Sequence, residues 1–299
     1  MKVVKTAFLL ALLTACGSGK TTDEQAMLNS IDSAGNKGPH ISEGVIDDLL
    51  QEIPSPLEIS VLLKQSGKKY NVDYLNSADN IARYNNNYQK AMNLGIYGTD
   101  LGYTNIYEKN TDGIKYMTSI KGLADDLNIG QFFDLETISR LATNSKNLDS
   151  LLLITTQNFN NINHYFQTQN RSNLSVLLLT GGWLEAMHIT CSVAAADPKN
   201  KELNEKIGEQ KIILEKILKL LSFYKDTDAH MASLLTDLQG LEEVYKKVNI
   251  TYTYKESSFV VVDGVMVIKD NSTTTVDITP ELVAEIKNIS TSIRNKIVS

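Results

Sequence analysis

Two cysteines, four histidines and one tryptophan in 299 residues leave little room for several common chemistries. With so few cysteines there is no disulfide framework of the kind that staples small secreted domains. The histidines, His40, His164, His188 and His230, are scattered along the chain, so no Cys/His cluster has the spacing of a zinc site. No Gly-x-Ser-x-Gly elbow occurs, and no calcium loop has its acids in place. Long runs of one charge are absent too. No cofactor is implied by any of this.

The first sixteen residues are the most specific stretch present. Lys2 and Lys5 precede an apolar run from Ala7 to Leu13, and Leu13-Thr14-Ala15-Cys16 closes it. A basic start, a short apolar core and small residues before a cut are the three parts of a secretory signal, and the core is too short to span a membrane. The segment resembles the signal of bacterial lipoproteins. That resemblance implies cleavage before Cys16 and a thiol carrying diacylglycerol, with palmitate among its acyl chains. A second motif overlaps it, since Gly17-Ser18-Gly19-Lys20-Thr21 looks like the end of a phosphate-binding P-loop. The glycine that such a loop needs five residues before Gly19 is Thr14, and the preceding strand would leave with the signal.

The resulting division is a signal peptide over 1–15, a flexible tether over 16–42 rich in Gly, Ser, Thr, Asn and Asp, and one folded domain over 43–299. The signal carries two lysines and no acid. The mature chain therefore has 27 basic against 35 acidic residues, a formal charge of −8, which argues against a nucleic-acid partner. If Cys16 is acylated, Cys191 has no disulfide partner, and its neighbours Ile189 and Val193 mark it as a small buried residue.

The fold expected is mainly α, a multi-helix bundle with a small β-hairpin inserted before the C-terminal helix. Short helices are expected from Ser42 to Leu50 and from Leu57 to Lys64, and helical spacing dominates from Tyr74 onward. Leu148, Leu151, Leu152, Phe159, Ile162 and Phe166 fall on one side of a helix, and Ile213, Ile217, Leu220 and Leu221 on one side of another. Met231, Leu234, Leu238, Leu241, Tyr245 and Val248 advance by threes and fours, the narrow seam of a packed pair. Asp197-Pro198 separates two helices. Leu282, Ile286, Ile289, Ile293 and Ile297 form the closing helix, with Thr279 as its N-cap and Pro280 as its first residue. Within 252–278, the valine-rich runs on either side of Asp263-Gly264 predict a hairpin with a two-residue turn.

The helix from Leu174 to Ala196 is apolar almost all round. Besides Cys191, its ionisable residues are Glu185 and His188, one turn apart on one face. These two residues and the Gly181-Gly182 pair suit the central helix of a bundle better than a membrane span. Di-metal carboxylate bundles use Glu-x-x-His on two helices plus a further Glu from each of two others, which makes Glu185 and His188 candidate metal ligands, but no second copy exists. The plainer reading, a buried Glu bonded to His or to a tyrosine of a neighbouring helix, is preferred.

Eight of thirteen tyrosines lie between Tyr70 and Tyr116, with Asp100 and other charges interleaved. Tyrosine rings carry an apolar face and a hydroxyl, which suits sugars or peptides and equally suits a wall between helices. The candidate ligand-binding set is Tyr97, Asp100, Trp183, Glu185 and His188.

The segments Asn93 to Leu101 and Gly181 to Glu185 resemble those of uncharacterised helical envelope lipoproteins of Bacteroidota. This implies an envelope location, at the outer membrane and facing the periplasm or the exterior, and supplies no activity. The function expected is a binding or assembly role rather than an enzyme, with an envelope protein or a glycan as partner and the membrane engaged through Cys16. The alternatives are a metal-binding or enzymatic protein centred on Glu185 and His188, and a glycan-binding lipoprotein like the longer helical nutrient-binding lipoproteins of the same bacteria.

Overall fold

Helical periodicity is realised along most of the chain. The computed structural model describes residues 67–134, 148–262, 265–269 and 271–299, with positions 49, 63 and 64. All of these belong to one compact unit, Pro39–Ser299. Cys16, the tether and most of the two short helices expected before Lys64 lie outside the described residues. Leu49, Leu63 and Lys64 are helical.

Two 3-10 turns, Val72–Tyr74 and Ala78–Arg83, lead into α1 (Asn87–Ile106). Helices α2 (Asn110–Asp126), α3 (Leu148–Thr168), α4 (Ser172–Ala195), α5 (Lys201–Ser222) and α6 (Ala229–Tyr245) follow. Strands β1 (Asn249–Thr253), β2 (Ser258–Val262), β3 (Val265–Lys269) and β4 (Thr273–Asp277) precede the closing helix α7 (Pro280–Val298). The fold is thus mainly α with a β insertion before its last helix.

One expectation fails near the start. Helical spacing from Tyr74 onward predicts that Tyr84 and Tyr88, four residues apart, share a helix face, but Tyr84 ends a 3-10 turn in extended conformation and α1 begins only after Asn86. Asn86 caps α1 by accepting from the Gln89 amide, and this local bond outcompetes an earlier start.

The strands form a long hairpin in two ladders. β2 and β3 pair antiparallel with Val262 opposite Val265, the register that a two-residue loop at 263–264 imposes, and those two residues lie outside the described ones. β1 pairs with β4 at its base, Ile250 opposite Val276. The base is fastened to α5 by Val276, which packs where a side chain on Gly208 would intrude.

Helix α4 sits at the centre and is touched by α1, α3, α5 and α7. That placement explains why it is apolar all round. It is long and apolar enough to cross a membrane, yet 89 % of its most apolar 18-residue window is buried inside the body. Its tightest neighbour is α1. A Cβ on Gly181 would overlap the Met92 carbonyl oxygen, and one on Gly95 would overlap that of Leu178, so the two backbones meet through reciprocal glycines. Thr99 fastens the crossing by donating to the Gly182 carbonyl at 3.0 Å.

The second half of the core is dry. Ile213, Ile217, Leu220 and Leu221 of α5 are buried with Met231, Leu234, Leu238 and Leu241 of α6, and Tyr245 and Val248 complete the seam. In α3, Ile162 and Phe166 are buried and Phe159 packs against the core. Thr279 caps α7 by accepting from the Leu282 amide, with Pro280 in the first turn.

Candidate functional site

Three helices bring ionisable groups to one sealed point. α1 contributes Asp100, α4 contributes Glu185 and α7 contributes Arg294; the two acids are fully buried and Arg294 nearly so. The Glu185 carboxylate accepts two hydrogen bonds from Arg294, from Nε at 2.7 Å and from Nη2 at 2.6 Å. This bidentate geometry satisfies both oxygens at once and is the strongest form of such a pair.

Asp100 stands beside it. Its Oδ2 accepts from the Asn76 amide at 3.2 Å, whereas Oδ1 accepts no hydrogen bond although it is sealed from water. Burial and the adjacent Glu185 carboxylate push the Asp100 carboxyl well above the usual range, against the opposing pull of Arg294. Both facts favour the protonated acid, whose O–H would have the adjacent Glu185 carboxylate as acceptor. With that proton in place the cluster holds one cation, one anion and one neutral acid.

A cover of tyrosines closes the site from the side of the 3-10 turns. Tyr97 donates to the Ser77 carbonyl at 2.8 Å and Tyr116 to the Asn76 carbonyl at 2.9 Å. The Asn76 side-chain amide donates to the Tyr84 hydroxyl and to Asn93 Oδ1, and Asn93 in turn donates to the Ile297 carbonyl of α7. Tyr70 stacks on Tyr103 with centroids 5.3 Å apart, and Tyr107 lies tilted against both rings. The Tyr97, Tyr116 and Tyr103 hydroxyls are bonded to backbone, Tyr70 donates to Asp112, and the rings are wall.

The structure therefore unites some of the candidate residues and separates others. Asp100 and Glu185 meet, and Tyr97 lies over them. Trp183 turns away to α5, donating its indole N–H to Gln210 at 3.0 Å. His188 leaves the acid pair as well, since its Nδ1 is 3.1 Å from the Thr291 hydroxyl of α7. Burial lowers its pKa, against the opposing effect of Glu185, so the ring is neutral at pH 7. Glu185 and His188 thus share a helix face but hold different partners. Among the described residues, no three His, Cys, Asp or Glu side chains are arranged to hold a metal ion. Cys191 is buried, and burial pushes its thiol up to about 12, which leaves it unreactive.

Arg294 is the residue that sequence reasoning missed. One signal for it exists: Ser290, Arg294 and Ile297 follow helical spacing on the buried side of α7, so a charge sits where the stripe calls for an apolar residue. No protein-family model, curated protein or solved structure matches the chain.

Proposed function

We propose that the protein is anchored in a bacterial envelope membrane, the outer one, through lipid on Cys16, and that its role is binding or assembly rather than catalysis. The observation that carries the role is the bidentate Glu185–Arg294 pair. It occupies both carboxylate oxygens of the residue a metal or a proton-transfer step would need, deep inside a bundle. Phe259 and Met266 on the hairpin, 71 % and 69 % exposed, support a contact role, since apolar surface left in water is what partners cover. The acidic balance of the mature chain favours a protein or glycan partner over nucleic acid.

Cells given labelled palmitate test the anchor. The wild-type chain incorporates label and Cys16→Ser does not; label retained by Cys16→Ser overturns the assignment. Metal analysis of the purified Cys16→Ser chain tests the role. Stoichiometric metal that is lost in both Glu185→Ala and His188→Ala would replace the binding role with a metal-dependent one.

A further inference from the structure

A cavity of about 350 Å³ opens where α1, α4 and α6 begin, away from the sealed acid cluster. Leu174 and Leu177 of α4 line it and are buried, which gives an apolar floor. Asn86, Asn87 and Asn173 supply amides around that floor. Tyr88 and His230 stack in its wall, centroids 4.9 Å apart and planes within 20° of each other, with His230 the exposed member.

The charges in the wall are unequal in availability. Arg171 donates one N–H to the Leu127 carbonyl at 2.9 Å and lies 5.2 Å from the Phe166 ring centroid, so its charge meets no carboxylate among the described residues. The one acid, Asp228, is turned onto its own helix, where Oδ1 accepts from the His230 and Met231 amides. No side chain caps the first turn of α4, which carries Asn173. The cavity thus offers a cation, amides and a stacked aromatic pair over an apolar floor, at the small end of the roughly 300–1,000 Å³ range of small-molecule sites.

We infer that this cavity binds a small sugar acid, a carboxylate-bearing pyranose of one or two rings. Arg171 pairs with the carboxylate, the amides exchange hydrogen bonds with the hydroxyls, and the C–H face of the ring lies against the Tyr88 and His230 stack. A bare inorganic anion would use Arg171 alone. A neutral sugar would leave it unpaired. The inference rests on the binding role proposed above and names its ligand class; it does not depend on the anchor.

The test is titration of the full Cys16→Ser chain with glucuronate, glucose and sulfate, followed by calorimetry and by NMR of the His230 ring. Glucuronate is expected to bind at least tenfold more tightly than glucose or sulfate and to shift the His230 signals. Asn173→Asp places an acid in the wall and in the first turn of a helix, where an acid favours folding. It should cut glucuronate affinity at least tenfold with no loss of melting temperature. His230→Ala should weaken glucuronate several-fold and leave sulfate unchanged. Equal affinity for glucuronate and glucose, equal affinity for glucuronate and sulfate, or unchanged glucuronate binding in a folded Asn173→Asp chain would each overturn the assignment. Labelling at Cys16 and the metal analysis are unaffected by any of these results, so the site can fail while the anchor and the binding role stand.

Discussion

The two halves of the core are built on different principles. Where α5 meets α6, the contact is aliphatic, and its one buried hydroxyl, Tyr245, is spent on the Ile207 carbonyl at 2.9 Å. Where α1, α4 and α7 meet, an Arg, an acid, asparagines and tyrosine hydroxyls hydrogen-bond directly to one another and to the backbone, with a second acid beside them. The dry half is held by area, and residues of similar volume can exchange there. The polar half is held by identity, since its hydrogen bonds join particular side chains and a lost partner leaves a buried group unsatisfied. It follows that the first half tolerates conservative change and the second does not.

The sharpest break of this contrast is a charge in the dry half. Leu238 is fully buried in the seam, so Leu238→Asp puts a carboxylate among aliphatic side chains. We expect a loss of about 4 kcal/mol or more, read by urea denaturation, and a soluble chain that does not fold would agree. A normal melting temperature would contradict the packing described. Leu238→Met should cost less than about 1.5 kcal/mol.

Next in size is removal of the cation from the polar half. Arg294→Met leaves Glu185 buried and uncompensated, at a cost of about 3–5 kcal/mol. Adding Glu185→Gln should recover part of that loss, because no buried charge then remains. Additive losses in the double variant would mean that the pair is not the reason for the sensitivity.

The glycine crossing tests whether close backbones are needed to bring the acids together. Gly181→Ala forces a methyl against the Met92 carbonyl and should cost about 1–3 kcal/mol. Gly98→Ala, where nothing lies near the added methyl and the residue is inside a helix, should be neutral or stabilising. The same response at both positions would remove the crossing from the account.

The smallest effect is on pH dependence. The Asp100 carboxyl binds its proton more tightly in the folded chain than in the unfolded one. Its contribution is therefore complete below about pH 4 and is lost as pH rises through the raised folded value. His188 has the opposite sign. Its folded pKa is depressed, so its contribution is present above about pH 6.5 and is lost as pH falls through the lower folded value. Asp100→Asn keeps a donor toward Glu185 at every pH. Its melting temperature relative to wild type should rise between pH 5 and pH 9, and a constant difference would mean that Asp100 carries no proton.

Legibility followed the same division. The α6 seam from Met231 to Val248 is buried at every position named from its spacing, the Thr279 cap is in place, and the valine register across 263–264 is the one a two-residue turn requires. The Gly181-Gly182 pair was readable as a place of close approach, though not its partner. Of the site, the sequence pointed to Glu185 and Asp100 as unusual, set His188 beside Glu185 on spacing alone, and marked Arg294 only by its place on the buried stripe of α7, a signal that went unread. The tyrosines were readable as a group but not as a cover held to the backbone of Asn76 and Ser77.

Everything that repeats at 3.6 or 2 residues, or that is a cap or a turn, is local. Those features were determined by the sequence itself, because the partners are within a few residues and the geometry is fixed by the backbone. What tertiary structure alone decided is which of the buried polar groups meet. Glu185 and Arg294 are 109 residues apart and Asp100 and Asn76 are 24 apart, and no spacing rule links them. Their pairing follows from the close crossing of α1 on α4 and the return of α7. In that buried space an acid without a cation, or with a second charged acid beside it, is costly to keep, so Arg294 closes on Glu185 and the Asp100 carboxyl is pushed toward its neutral form.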